Sequence, residues 1–180
     1  MVVIKISENK VGLGSEHPYC DAIQLVILVL YFVVWGIDSV SYFLFRISTV
    51  SIDSISFPLL LLPAILSLGF GVYLALKSHE AVFGETAGQS KLIDSGVYSW
   101  TRHPMYLGTL LFCLGFFFAI PSLLCLGVWI AFFIFYDKMA TYEEEDLARI
   151  LGDEYIDYQK RVRKWLPRKR HRINSENKLG

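Results

Sequence analysis

A chain of 180 residues is long enough for one domain and too short for two ordinary ones. Its hydrophobic fraction of 54% and mean hydropathy of +0.45 exceed those of a soluble domain and come in long blocks, which excludes an ordinary water-soluble globule. With 17 basic and 17 acidic residues the net charge is zero but unevenly distributed, so the balance itself says little, and no nucleic acid partner is expected.

The first residues, up to Asp21, are mixed polar and carry Gly12, Gly14 and Pro18, the composition of a surface tail. They hold no apolar run, so no cleavable signal peptide is expected and the first apolar block serves as the targeting signal. That block, Ala22 to Phe45, would span roughly 36 Å as a helix, enough to cross a hydrocarbon core of about 30 Å with some tilt. Asp38 interrupts it, and two readings stand: a carboxylate that snorkels or pairs with Arg46, or a functional group at membrane depth.

A Ser-rich connector leads to a second span at Phe57 to Leu76. Pro58 falls in its first turn, Pro63 is interior and should kink it, and Ser67 and Gly71 have the spacing that lets another helix come close. The polar loop from Lys77 to Thr101 is long for an idle connection. Pro104 to Ile120 and Ser122 to Tyr136, joined at Pro121, read as a tight hairpin of two shorter spans. Beyond Asp137 the chain is polar but keeps helical periodicity, with Leu147, Ile150, Leu151, Tyr155 and Tyr158 forming an apolar stripe. Gly152 interrupts this helix, and Asp153 is placed to cap a second, short one.

The expected architecture is therefore all-α, a single domain over residues 1–180. It is a polytopic transmembrane bundle of about four spans, completed by C-terminal amphipathic helices. The N-terminal tail, the loop ending at Arg102 and the C-terminal region hold 2, 3 and 11 of the 17 Lys and Arg residues, which predicts a multi-pass protein with both termini cytoplasmic. On this reading the basic run around Trp165 is an ordinary positive-inside anchor with the indole at headgroup level. The three cysteines, Cys20, Cys113 and Cys125, form no paired motif and no Cys/His cluster, so neither a disulfide framework nor a metal site is expected.

Two clusters carry chemistry. The stretch Leu92 to Gly108, LIDSGVYSWTRHPMYLG, packs Tyr98, Trp100, Arg102, His103 and Tyr106 where the chain meets the membrane. Pro104 suits the first position of a helix and holds His103 extended, so the helix starts abruptly with its positive dipole end beside Arg102 and His103. The aromatic rings offer faces for a purine or a cation. An aromatic belt with a basic flank accounts for Trp100 and Arg102, but not for the His-Pro pair. The second cluster is Glu143 and Glu144, in line with Leu147, Ile150 and Leu151 on the apolar stripe, whereas Glu145 and Asp146 can be solvated. Either the acidic run is a solvated helix start, or the pair faces inward and needs a cation or donors. A small molecule with a carboxylate, a purine and a positive centre would satisfy both clusters, and S-adenosylmethionine has all three. A dinucleotide fits less well, because no G-x-G-x-x-G opens a helix.

SGVYSWTRHPMYLG, a hydrophobic hairpin, and then EEEDLARILGDEYIDYQKRV with Pro167 beyond resemble the isoprenylcysteine carboxyl methyltransferase family, part of a wider group that includes phospholipid N-methyltransferases. The resemblance covers roughly residues 90–167. It implies a membrane methyltransferase that binds S-adenosylmethionine on the cytoplasmic side and takes a lipid or lipidated acceptor from the bilayer. It further implies that Ser90, Lys91, Leu92, Ile93, Tyr98, His103, Pro104, Met105, Tyr106 and Glu143 line the cofactor. Arg102 and Glu144 would be catalytic, Arg102 near the transferring methyl; for an amine acceptor, which must lose a proton, His103, Tyr106 and Glu144 are the candidate bases. Where that family carries an Arg for the substrate carboxylate, this chain has Met139 with Lys138 beside it, so these two are the candidate acceptor contacts and the acceptor stays open. Two other classes remain: an NADPH-dependent membrane reductase of the sterol-reductase type, and a scaffold in which both clusters only anchor and pack.

Overall fold

The computed structural model describes residues 20–45, 57–83 and 92–166. Ser90, Lys91, Arg46, the loop glycines Gly84 and Gly88, and Pro167 lie outside the described residues. Within them the chain is all-α: α1 (Cys20–Phe45), α2 (Phe57–Phe83), a short 3-10 turn (Gly96–Ser99), α3 (Pro104–Ala119), α4 (Leu123–Leu151) and α5 (Asp153–Arg161). Three helices, α1, α2 and α4, are long and apolar enough to cross a membrane, and α3 is a shorter apolar helix between them.

α2 outruns its expected end at Leu76 and continues to Phe83. Lys77 and Glu80 pair at 2.6 Å one turn apart, and the Ser78 hydroxyl donates to the Leu74 carbonyl at 2.6 Å, so the polar residues extend the helix. The helix runs on through Pro63. α3 begins at Pro104, its first helical position, and the His103 carbonyl accepts the first helical bond from Leu107. Ser122 caps α4, its hydroxyl accepting from the Cys125 N–H.

α4 is one unbroken helix of 29 residues, about 44 Å long, so it exceeds a hydrocarbon core of about 30 Å and one end must project. The projecting end carries the acidic run. Gly152 then closes α4 at φ +58°, where a side chain would be strained, and turns α5 back onto the bundle. It also occupies the cap position of α5, so Asp153 is the first residue of that helix rather than its cap.

α2 and α3 make the most extensive helix pair. A Cβ on Gly71 would lie 2.8 Å from the Gly108 carbonyl oxygen and 2.8 Å from the Phe112 nitrogen, so the two backbones are in direct contact there. α1 packs chiefly on α4 and reaches α3 through polar tips of aromatic rings. The Tyr31 hydroxyl donates to the Cys113 carbonyl at 2.5 Å and the Trp35 indole to the Phe116 carbonyl at 3.0 Å. Asp38, on α1, is buried against the protein rather than turned outward.

Candidate functional site

Two apolar clusters form the core among the described residues. One gathers Leu74, Val82, Leu92, Val97, Tyr98, Leu147, Tyr155 and Tyr158. The other gathers Tyr31, Tyr106, Leu110, Phe132, Tyr136, Met139 and Ala140. α4 contributes to both, and it brings its two carboxylates against Arg102 and His103.

Arg102 and Glu144 form a bidentate pair, Nε to Oε1 and Nη2 to Oε2, both at 2.9 Å. Arg102 Nη1 donates to the carbonyls of Gln159 at 3.1 Å and Val162 at 2.8 Å. Four of its five donors are thus engaged, and the guanidinium fastens the start of α3 to α4 and to the end of α5. Gln159 Nε2 adds a further bond to Glu144 Oε2 at 3.3 Å.

His103 is wholly buried, with Nε2 2.8 Å from Glu144 Oε1. Burial lowers its pKa below the ordinary histidine value, against the opposing pull of the Glu144 bond. The ring is therefore neutral at pH 7. A neutral ring bonded to a carboxylate through Nε2 carries its proton there, which leaves Nδ1 as a bare acceptor. Nδ1 has no hydrogen-bond partner, and Glu143 Oε2 stands 3.7 Å away. Burial also raises the Glu144 pKa, but the bonds from His103 and Arg102 outweigh it and hold the carboxyl below its ordinary range.

Glu143 accepts a short hydrogen bond from the Tyr106 hydroxyl. The Tyr106 ring lies parallel to His103, centroids 5.7 Å apart, and stacks on Tyr136 at 4.5 Å. Tyr136 in turn stacks on Phe132 at 4.5 Å. On the opposite side the Tyr158 hydroxyl donates to the Tyr98 carbonyl at 2.7 Å, docking α5 on the turn before α3.

The sequence-predicted residues separate on this frame. Tyr98, Arg102, His103, Pro104, Tyr106, Glu143 and Glu144 converge at the polar end, with Met105 partly buried beside them. Leu92 and Ile93 pack into the cluster around Tyr98. Trp100 is exposed and stacks on Tyr73 of α2. Met139 is buried among Tyr106 and Tyr136, whereas Lys138 is exposed on the next position of the helix, so the apolar side chain holds the inward place. Ile150 is 44% exposed and drops out of the expected stripe. The true inward line of α4 runs Phe132, Tyr136, Met139, Ala140, Glu144 and Leu147, with no break between the apolar half and the acidic half. Tyr136 was missed for that reason: it lies two turns before Glu143, on the far side of an assumed boundary at Asp137. Among the described residues no group of His, Cys, Asp and Glu could hold a metal ion.

Comparison with known sequences gives one family. The phospholipid methyltransferase family model matches residues 55–154. Protein-S-isoprenylcysteine O-methyltransferase of Xenopus laevis is 36% identical over 90 residues, 49% of this chain and 31% of that protein. The Homo sapiens protein of the same name is 34% identical over 91 residues, 49% of this chain and 32% of its own. That of Saccharomyces cerevisiae is 34% identical over 78 residues, 42% of this chain and 32% of its own. The match spans about a third of the length of these curated relatives.

Proposed function

The chain belongs to the phospholipid methyltransferase family, and from that premise we propose that it transfers a methyl group from S-adenosylmethionine to a lipid or lipidated acceptor held in the membrane. The observation that carries this reading is the buried, bare acceptor at His103 Nδ1, with the Glu143 carboxylate beside it. An aliphatic ammonium or an adenine amine supplies the donor that such a position needs, and the ammonium also answers the Glu143 carboxylate beside it. The parallel rings of Tyr106, His103 and Tyr136 add an aromatic wall suited to a purine or a sulfonium.

In this reading Tyr98, His103, Pro104, Met105, Tyr106 and Glu143 hold the donor, with Leu92 and Ile93 behind them and Ser90 and Lys91 as further contacts. When bound, S-adenosylmethionine supplies an electrophilic methyl group on a sulfonium. The residues of the chain bind it, orient it and keep water out, which is most of what an in-line displacement requires. Arg102 acts by fixing Glu144 and the backbone after α5, since four of its donors are already occupied. Glu144, held ionised, keeps the His103 tautomer that leaves Nδ1 open. An acceptor amine must lose a proton, and since His103 Nδ1 is committed to the donor, that proton must go to another group. An acceptor carboxylate needs no base but does want a cation, and Met139 leaves the inward position apolar. The pocket and both termini are taken to face the cytoplasm.

Calorimetry on the detergent-purified chain tests the reading. S-Adenosylhomocysteine should bind and NADPH should not. Binding of NADPH alone would make the chain a reductase, and binding of neither would leave a scaffold. Incubating membranes with labelled S-adenosylmethionine, then separating lipid from protein label, assigns the acceptor.

A further inference from the structure

Beyond α5 the backbone of residues 162–166 crosses from one wall of the site to the other. On one edge the Thr101 hydroxyl donates to the Lys164 carbonyl at 2.6 Å and the Arg102 N–H donates to the Arg163 carbonyl at 3.1 Å. On the other edge the Lys164 ammonium donates to the Asp137 carboxylate and carbonyl, both at 2.8 Å, and to the Thr141 hydroxyl at 2.7 Å. All three of its donors are used within one turn of α4. The Trp165 indole N–H donates to the same Asp137 oxygen at 2.8 Å. Together these two bonds hold the Asp137 carboxyl below its ordinary range.

A solvated basic anchor shows none of this. Trp165 turns inward, its ring 6.0 Å from His103 and 5.5 Å from Phe133. Tyr106 and Trp165 are thus both ring neighbours of the imidazole, Tyr106 parallel to it and Trp165 tilted at 43° beside it.

We propose that the Lys164–Asp137 latch seats Trp165 on His103, making Trp165 a positioning residue that holds the imidazole with Nδ1 toward the methyl donor. This role rests on the assignment of the pocket to that donor. It explains why a lysine in a basic run is committed to one carboxylate and one hydroxyl of α4. The charged and titratable groups facing His103 are Glu143 and Glu144 from α4, Arg102 beside it, Tyr106 from α3, and Asp137 with Lys164 across the Trp165 ring. Taking the ring away admits water to His103 without removing any of them.

The test compares Trp165→Ala, Trp165→Phe and Lys164→Met with the wild-type full chain in detergent, with Arg149→Gln as a control on an exposed surface pair. Two readouts are taken: the dissociation constant of S-adenosylhomocysteine, and the His103 titration by NMR, assigned with His103→Gln. Trp165→Ala and Lys164→Met should weaken binding at least about fivefold, roughly 1 kcal/mol. Both should also raise the His103 pKa toward its ordinary value of about 6.5. Trp165→Phe keeps a ring and should recover most of the affinity, and Arg149→Gln should match wild type. Unchanged affinity and unchanged titration in Trp165→Ala and Lys164→Met would overturn the positioning role. A wild-type chain that binds no S-adenosylhomocysteine overturns the donor assignment itself, and that failure is recognised by appearing without any substitution. If Trp165→Ala does not fold, Lys164→Met and Trp165→Phe still decide the matter, since neither empties the space under the strap.

Discussion

At the scale of single residues the two neighbouring glutamates do different work. Glu144 is bonded to Arg102, His103 and Gln159, while Glu143 meets the Tyr106 hydroxyl and stands near the open nitrogen of His103. Glu145, one position on, is exposed. Glu143→Gln and Tyr106→Ala should each weaken S-adenosylhomocysteine binding at least tenfold, about 1.4 kcal/mol, and Glu145→Gln should leave it unchanged. Equal losses from all three, measured by calorimetry, would remove the case for an inward Glu143. His103 makes a second prediction. Its folded pKa lies below the unfolded value of about 6.5, so below that pH the unfolded chain binds the extra proton and stability falls, down to the folded pKa. Denaturant titrations across that window should show the slope in wild type and lose it in His103→Gln. A slope of the same size in both would mean that His103 is not buried neutral.

At the scale of elements, what could be read from the sequence was what the backbone and the apolar period dictate. The start of α3 at Pro104, the close approach at Gly71 and the interruption at Gly152 each follow from one residue's covalent geometry. What could not be read was partnership across the fold. Nothing near Gly71 names Gly108 as its counterpart, and nothing in a basic run says that Lys164 reaches Asp137. The inward Glu pair was legible from helical phase, although Ile150, used to set that phase, faces outward. Gly71 carries a testable consequence. A Cβ there would press on the backbone of Gly108 and Phe112, which cannot rotate away, so α2 and α3 must separate. Gly71→Leu should destabilise the chain by about 1–3 kcal/mol, while Gly69→Leu, whose Cβ has open space, should not. Equal thermal unfolding of the two variants would show that the helices do not touch at Gly71.

At the scale of the whole molecule, the site depends on residues 42 to 60 positions apart meeting at one end of the bundle, and Arg102 is the group that joins them. Its pair with Glu144 is largely buried, the side chains only 12% and 11% exposed, so little solvent screens it. Removing one partner strands a buried charge. Arg102→Met should therefore destabilise the chain by about 3–5 kcal/mol, and adding Glu144→Gln should recover part of that loss, because the second change removes the stranded carboxylate. The clamp also dictates an acid limit. The folded pKa of Glu144 lies below its unfolded value of about 4.3. Its contribution is therefore complete above that pH and is lost as pH falls through the folded value. In the Arg102→Met background the carboxylate has lost a partner, so its folded pKa rises and the acid loss moves to higher pH. If wild type and Arg102→Met unfold at the same acid midpoint, the clamp does not couple α3 to the C-terminal helices, and the arrangement of the site must be held by packing alone.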